Sequence, residues 1–236
     1  MTADEMKRRA GVAAMEFIED GMLVGLGTGS TAAYFVRALG EAVAGGLNVR
    51  GVATSRATEA LAADAGVPVL APEALDPARD RIAVVVDGAD ECDRDLRLIK
   101  GGGGALLREK IIAYAADKMI VIADEGKLVE TLGAFALPVE VVRFGWNLTQ
   151  AAVSRALDES GVGGAELVLR MADNSPFVSD GGNYILDCAC GRIEDPERLA
   201  AALSAIPGVV EHGLFIGLAD LALLGTPDGV KRIGPV

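Results

Sequence analysis

One histidine, His212, serves the whole 236-residue chain. That scarcity removes most histidine chemistry. A Ser–His pair, an imidazole-based zinc site or a histidine general base would all have to use this residue. It stands in Pro207-Gly208-Val209-Val210-Glu211-His212-Gly213, far in sequence from every glycine-rich loop, and reads as a surface or subunit-contact residue. A general base is therefore expected to be a carboxylate or a lysine. Cysteine is also sparse. Cys92, Cys188 and Cys190 are an odd number with no CxxC spacing, and read as reduced thiols of a reducing compartment. Cys92 directly follows an acidic run, so like-charge repulsion should keep it a poor nucleophile. Positive charge is short: 22 Lys and Arg against 34 Asp and Glu leave a net charge of −12. Nucleic-acid binding needs a basic face and is excluded. An anionic small ligand is not, because a few focused lysines outweigh a distant acidic surface. Apolar runs of five to seven residues are too short to cross a bilayer. The first residues, Met1-Thr2-Ala3-Asp4-Glu5-Met6, lack the apolar stretch of a signal peptide, and a cytoplasmic location is expected.

What is present is a chain that is 51% hydrophobic, enough for a substantial core. Residues 4–18 have helical spacing. Met22 to Leu26 reads as a buried strand, ending in Gly27-Thr28-Gly29-Ser30-Thr31, with Ser30 as the expected cap of a helix. Asn48 to Ala53, Val67 to Leu70, Ile82 to Val86 and Met119 to Ala123 read as further strands, with helices over 57–65 and 104–116. Strands alternating with helices predict parallel βαβ units in a Rossmann-like, three-layer α/β domain. After about Gly133 the pattern becomes strand–helix–strand–strand–helix–strand, a ferredoxin-like α+β order, with a Pro-opened helix at Asp195-Pro196. Asp220 to Leu224 returns to the apolar style of the first half. The expected division is residues 1–132 plus 215–236 for the α/β domain and 133–214 for a smaller inserted one.

Chemistry concentrates in two stretches. Asp87-Gly88-Ala89-Asp90-Glu91 ends the most apolar strand. Lys100-Gly101-Gly102-Gly103-Gly104 follows, with Glu109 just inside a helix. Acids at the carboxyl edge of a parallel sheet stand where open α/β folds bind ligands. Glycines let backbone N–H groups approach an anion, and Lys100 adds charge beside them. The helix N-terminus is expected to keep Glu109 ionised, as a base must be. Gly25-Leu26-Gly27-Thr28-Gly29-Ser30-Thr31-Ala32 formally contains a dinucleotide fingerprint. No acid closes the second strand, however, and the Lys of a Walker loop is missing. Its hydroxyls, Thr28, Ser30 and Thr31, suit a phosphate or sugar at a helix N-terminus. Asp87, Asp90 and Glu91 offer oxygen ligands for magnesium, but Lys100 makes a metal less needed, and no metal or organic cofactor is expected. Lys127 lies on the same rim, and Lys7 is a weaker basic candidate.

These motifs, GLGTGSTA (25–32), TS (54–55), DGADE (87–91), KGGGGAL (100–106), REK (108–110) and LPVEV (137–141), resemble type A ribose-5-phosphate isomerase. IPGVVEHGLF (206–215) and ADLALLGTPDGV (219–230) continue the likeness through nearly the whole chain. The resemblance implies a cofactor-free aldose–ketose isomerase of the pentose phosphate pathway, usually a homodimer or homotetramer. It implies Glu109 as catalytic base, with Asp87, Asp90 and Lys100 as polar active-site groups. It also implies substrate contacts from Thr28, Gly29, Ser30 and Thr31, from Asp87, Gly88, Ala89 and Asp90, from Lys100, Gly101, Gly102 and Gly103, and from Lys127. Leu107 stands where Thr is more often expected, and Gly126 where Ser is common. Two other functions are open to such a chain: a deaminase-isomerase of amino-sugar phosphates, which would be expected to use a histidine, and a non-catalytic sugar-phosphate sensor.

Overall fold

A computed structural model describes residues 1–235. In chain order the strands of the first half are β1 (Leu23–Leu26), β2 (Arg50–Ala53), β3 (Ile82–Gly88), β4 (Glu91–Cys92), β5 (Leu98–Ile99) and β6 (Met119–Asp124). Four helices accompany them: α1 (Ala3–Ala13), α2 (Ser30–Ala44), α3 (Arg56–Asp64) and α4 (Leu106–Ala115). Then come β7 (Leu137–Val141), α5 (Trp146–Glu159), β8 (Glu166–Leu169), a short hairpin of β9 (Met171–Ala172) and β10 (Ser175–Pro176), β11 (Tyr184–Ala189), α6 (Pro196–Ser204) and β12 (Val209–His212). The chain closes with β13 (Leu214–Phe215), β14 (Leu221–Thr226) and β15 (Gly229–Ile233).

The main sheet runs β15-β14-β6-β3-β1-β2, parallel except for the antiparallel edge strand β15. Its inner strands, β1, β3, β6 and β14, are apolar on both faces, as a sheet covered on both sides requires. Val24, Leu26, Val84, Val86, Ile120 and Ile122 join Phe35, Val36 and Leu39 of α2 and Ala10 of α1 in one core. The alternate residues Leu23, Val85, Met119 and Val121 face Ile112 and Ala113 of α4, with Cys92, Leu98 and Phe215 from a small β13-β5-β4 sheet. The layers are thus helix, sheet, and a mixed layer of one helix and a three-stranded sheet. The α/β, Rossmann-like expectation holds.

The second sheet is antiparallel, in the order β12-β7-β11-β8, which is the ferredoxin-like arrangement. Helices α5 and α6 cover it, and Val153, Leu157, Leu199 and Leu203 meet Val139, Val141, Leu186 and Cys188 in a separate core. Asp195 caps α6 by accepting from the Arg198 N–H at 2.9 Å, with Pro196 in the first turn.

Two local expectations change, and one strand had no expectation. Val67–Leu70 is no full strand; Val69 makes a single parallel bridge to Gly51. Ser30 does not cap α2, for it is the first helical residue, and the cap position is Gly29 at φ 107°. The strand β15 has no clear sequence signal because Lys231 and Arg232 interrupt its apolar pattern. They are exposed on an edge strand, where charge discourages pairing with another chain.

Candidate active site

The chain leaves β1 for β2 on one side and reaches β3 on the other, so the strand order reverses at β1/β3. Crevices beyond the strand ends at such a point are where doubly wound sheets bind ligands. Here a cleft of about 150 Å³ is lined by the residues after β1, the end of β3, the glycine loop, Glu109, Lys7 and Lys127. A larger groove of about 420 Å³ lies beside α3 and α4. Its ionisable side chains, Arg56, Glu59, Glu73 and Arg108, are exposed or half-buried, so nothing there is set up for proton chemistry.

Asp87 is buried near the end of β3. Its Oδ1 accepts from the N–H of Thr28 at 3.0 Å and of Gly88 at 2.7 Å. Gly27 allows that approach, since a Cβ there would collide with the Asp87 carboxylate. Lys100 follows β5 and is also buried. Its Nζ donates to the Gly88 carbonyl at 2.5 Å and stands 3.0 Å from Asp87 Oδ2 and 3.4 Å from Glu109 Oε2. Those two carboxylate oxygens receive no aligned hydrogen bond from the protein, and Lys100 meets them only as an ion pair. The Phe215 ring lies 5.4 Å from Lys100 Nζ and closes the apolar side of the cluster.

One buried cation thus faces two buried carboxylates. Burial disfavours the charged form of each acid, and their mutual repulsion adds to it. Burial first, and the Asp87 charge second, push Glu109 up to about 8 against the pull of Lys100. Asp87 is also raised by burial, opposed by Lys100 and by its two N–H donors. Burial alone would weaken the Lys100 ammonium; the charges of Asp87 and Glu109 outweigh it and raise Lys100. Glu109 is the fourth residue of α4, and there desolvation overrides the helix dipole that was expected to keep it ionised.

Asp90 sits at the rim, half-buried, and its Oδ2 accepts from the Gly102 N–H at 2.8 Å. Gly101 adopts φ 105°, which favours glycine at the bend of the loop. At the other end of the cleft, Lys7 donates to Ser30 Oγ at 3.1 Å, next to the first turn of α2 and near Lys127. The orphan N–H groups of that turn suit an anion. Of the three hydroxyls only Ser30 is exposed. Thr31 is buried, and Thr28 Oγ1 turns to Thr54, Ser55 and Thr58 at 2.8, 2.8 and 3.1 Å. The fold therefore brings together Thr28, Gly29, Ser30, Thr31, Gly88, Ala89, Asp90, Lys100, Gly101, Gly102, Gly103, Glu109 and Lys127 around one cleft, with Asp87 directly behind it.

Glu91 is not part of it. It turns away and accepts from the N–H groups of Gly133 at 2.7 Å and Phe135 at 2.6 Å, so it cannot join Asp87 and Asp90 around a metal. His212 is buried rather than on the surface, against Ser204 Oγ at 3.1 Å and beside Lys110, outside the cleft. Cys92 is buried under the sheet; burial, then Asp93, pushes its thiol up to about 12, whereas repulsion by the preceding acidic run was the expected cause. The sequence reading missed Arg170. Its Nη1 donates to the carbonyls of Gly101 at 2.9 Å and Gly102 at 3.1 Å from the four-stranded body. No local motif marks it, because the contact depends on how the two bodies dock.

The ribose 5-phosphate isomerase A (phosphoriboisomerase A) profile matches residues 50–229. A ribose-5-phosphate isomerase A from Bradyrhizobium diazoefficiens is 54% identical over 238 residues, spanning 99% of this chain and 97% of that protein. The chain belongs to the ribose 5-phosphate isomerase A family. Two solved family structures superpose along almost its full length. A D-ribose-5-phosphate isomerase in complex with phospho-erythronic acid has a TM-score of 0.90 at 41% identity, covering 100% of both chains. The ribose 5-phosphate isomerase of Plasmodium falciparum reaches 0.91 at 31% identity, over 98% of this chain and 99% of that one. The two departures from the family pattern stand apart from the buried acids. Leu107 lines the outer groove rather than the cleft, and the Gly126 N–H is taken up by Asp124 Oδ1 at 3.1 Å.

Proposed function

We propose that this chain interconverts ribose 5-phosphate and ribulose 5-phosphate in the non-oxidative pentose phosphate pathway. The observation that carries the reading is the buried Glu109–Lys100–Asp87 cluster at one end of a cleft whose other end offers Ser30, Lys7, Lys127 and a helix N-terminus. A phosphate held at the basic end directs the sugar carbons toward the acids. Family membership supports the same substrate, and a phosphorylated sugar acid occupies a solved relative.

In this mechanism the ionised Glu109 carboxylate removes the proton from C2 of the open-chain aldose. The C1 carbonyl oxygen gains the negative charge, giving a cis-enediolate. Lys100 neutralises that charge. Glu109 returns the proton to C1, and the hydroxyl proton shifts between the adjacent oxygens. One carboxylate serves both carbons because they are neighbours, as in triosephosphate isomerase, where a single glutamate is the base. A base whose pKa is near the working pH combines availability with strength. Asp87 is the first choice for opening the sugar ring and Asp90 the second. We propose residues 1–132 plus 215–235 as the catalytic body, 133–214 as the smaller one, and a homodimer or homotetramer as the working assembly. Phe144 and Leu148, 92% and 72% exposed, are apolar surface for such contacts to cover.

Purified protein should convert ribose 5-phosphate, and exhaustive chelation should leave the rate unchanged. Glu109→Gln keeps the shape but cannot accept the proton, so turnover should fall by at least about 10²-fold. Binding without turnover by the wild type would favour a sensor, and ammonia release from an amino-sugar phosphate would favour a deaminase-isomerase. A Glu109→Gln variant with more than about half the wild-type rate would remove Glu109 from the base role.

A further inference from the structure

We propose that Arg170 is a positioning residue for the cleft: from the four-stranded body it holds the glycine loop so that the N–H of Gly103 is presented to the ligand. The inference rests on the function proposed above, and adds a part played by residues outside the α/β body.

Arg170 follows β8, with its side chain mostly buried. Asp187 of β11 takes two of its donors, Nε at 2.8 Å and Nη2 at 2.5 Å, in a bidentate pair that sets the plane of the guanidinium. The Phe177 ring lies 5.9 Å from its centre. The remaining nitrogen, Nη1, bridges the carbonyls of Gly101 and Gly102, two successive peptides.

A trans peptide is planar, and its C=O and N–H point in opposite directions. Fixing the Gly101 carbonyl on Arg170 therefore turns the Gly102 N–H the other way. There it meets Asp90 Oδ2 at 2.8 Å. Fixing the Gly102 carbonyl turns the Gly103 N–H the same way. That N–H has no partner among the described residues, and Gly103 lines the cleft. It is a free donor aimed at where a substrate oxygen would lie. Glycines alone leave the peptide planes free to rotate. The Gly104 N–H also donates to the Gly101 carbonyl at 2.9 Å, so Arg170 removes the freedom that is left, at the Gly102 carbonyl, and a lysine has no rigid fork with which to grip Asp187 and both carbonyls.

The test compares Arg170→Met and Arg170→Lys with the wild type, using ribose 5-phosphate turnover and inhibition by two probes. Inorganic phosphate reports the Ser30–Lys7–Lys127 end, and phospho-erythronate spans the whole cleft. A misaimed donor should lower kcat by about 10-fold or more, a fraction of the 10²–10³ lost when an oxyanion donor is removed. The phospho-erythronate inhibition constant should rise by a similar factor, while that of inorganic phosphate stays within about twofold. Arg170→Lys, the variant more certain to fold, should recover less than half of the wild-type kcat. Wild-type-like turnover by both variants would overturn the inference and leave the isomerase reading intact. So would an equal weakening of both probes, which marks general loosening. Absence of turnover by the wild type would instead sink the isomerase reading.

Discussion

Glu109 shows how a single residue is tuned by what surrounds it. Sequence places it near a helix start, where the dipole favours the carboxylate by less than about 1 kcal/mol at most exposed sites. Burial beside Asp87 is the larger effect and moves it to about 8. The free enzyme's base should then appear in kcat/KM as an acid limb. The rate constant should rise with pH through a midpoint near 8, far above the ordinary value of 4.5, and level off only above that. The midpoint belongs to the coupled Asp87–Lys100–Glu109 set, not to one oxygen. A limb with its midpoint below about 6, within reach of an ordinary glutamate, would show that a different group is the base. Cys92, pushed up to about 12, stays a thiol throughout that range, and Cys92→Ser should not shift the limb.

At the scale of elements, Glu91 has a structural role rather than a functional one. It ends the acidic run read from sequence, yet β4 turns its side chain away from Asp87 and Asp90. There it ties down residues 133–135, where the chain passes from the main sheet toward β7. Buried N–H groups left without a charged acceptor cost about 1.5–3 kcal/mol. Glu91→Ala should lower Tm by roughly 3–12 °C, at about 2–4 °C per kcal/mol for a chain of this size. Scanning calorimetry would check it. A fall under about 2 °C would mean that these bonds contribute little to stability. The same logic explains β15, whose charged exposed face hid a strand that tertiary pairing with β14 supplies.

For the whole molecule, two buried groups make stability depend on pH in opposite senses. His212 is lowered from 6.5 to about 4, by burial first and the Lys110 charge second. Its folded form resists protonation, so its contribution is present above 6.5 and is lost as pH falls toward 4. Glu109 is raised from 4.5 to about 8, so its folded form holds a proton that the unfolded chain releases. Its contribution is full below 4.5 and is lost as pH rises to 8. Between 4.5 and 6.5 the two offset each other; from 6.5 to 8 the His212 gain is complete, and the Glu109 loss, which the raised Asp87 shares in sign, goes unopposed by it. Wild-type Tm should therefore decline across that upper window. Glu109→Gln should flatten the decline and be more stable than wild type at pH 8 by at least about 1 kcal/mol, or 2–4 °C. A variant whose Tm follows the wild-type curve would contradict the buried-acid account. Stability surrendered at the site in this way is common where a charged group must be poised for chemistry.

Much was legible from residue order alone. Apolar strands alternating with helices dictated a parallel sheet, because such strands bury both faces only between helical layers. Acids after Val86 and glycines after Lys100 marked the edge of the sheet where the cleft lies, since strand ends and glycine turns have local chemical signatures. The four-stranded body was visible in its strand–helix order for the same reason. Tertiary structure alone decided which acids face each other. Asp87 and Glu109 share Lys100 while Glu91 does not join them, although all three carry a carboxylate. It also decided the pKa of Glu109 and the reach of Arg170 to Gly101 and Gly102. Desolvation and contacts between residues about 70 positions apart depend on how packed bodies meet, and no local pattern encodes that.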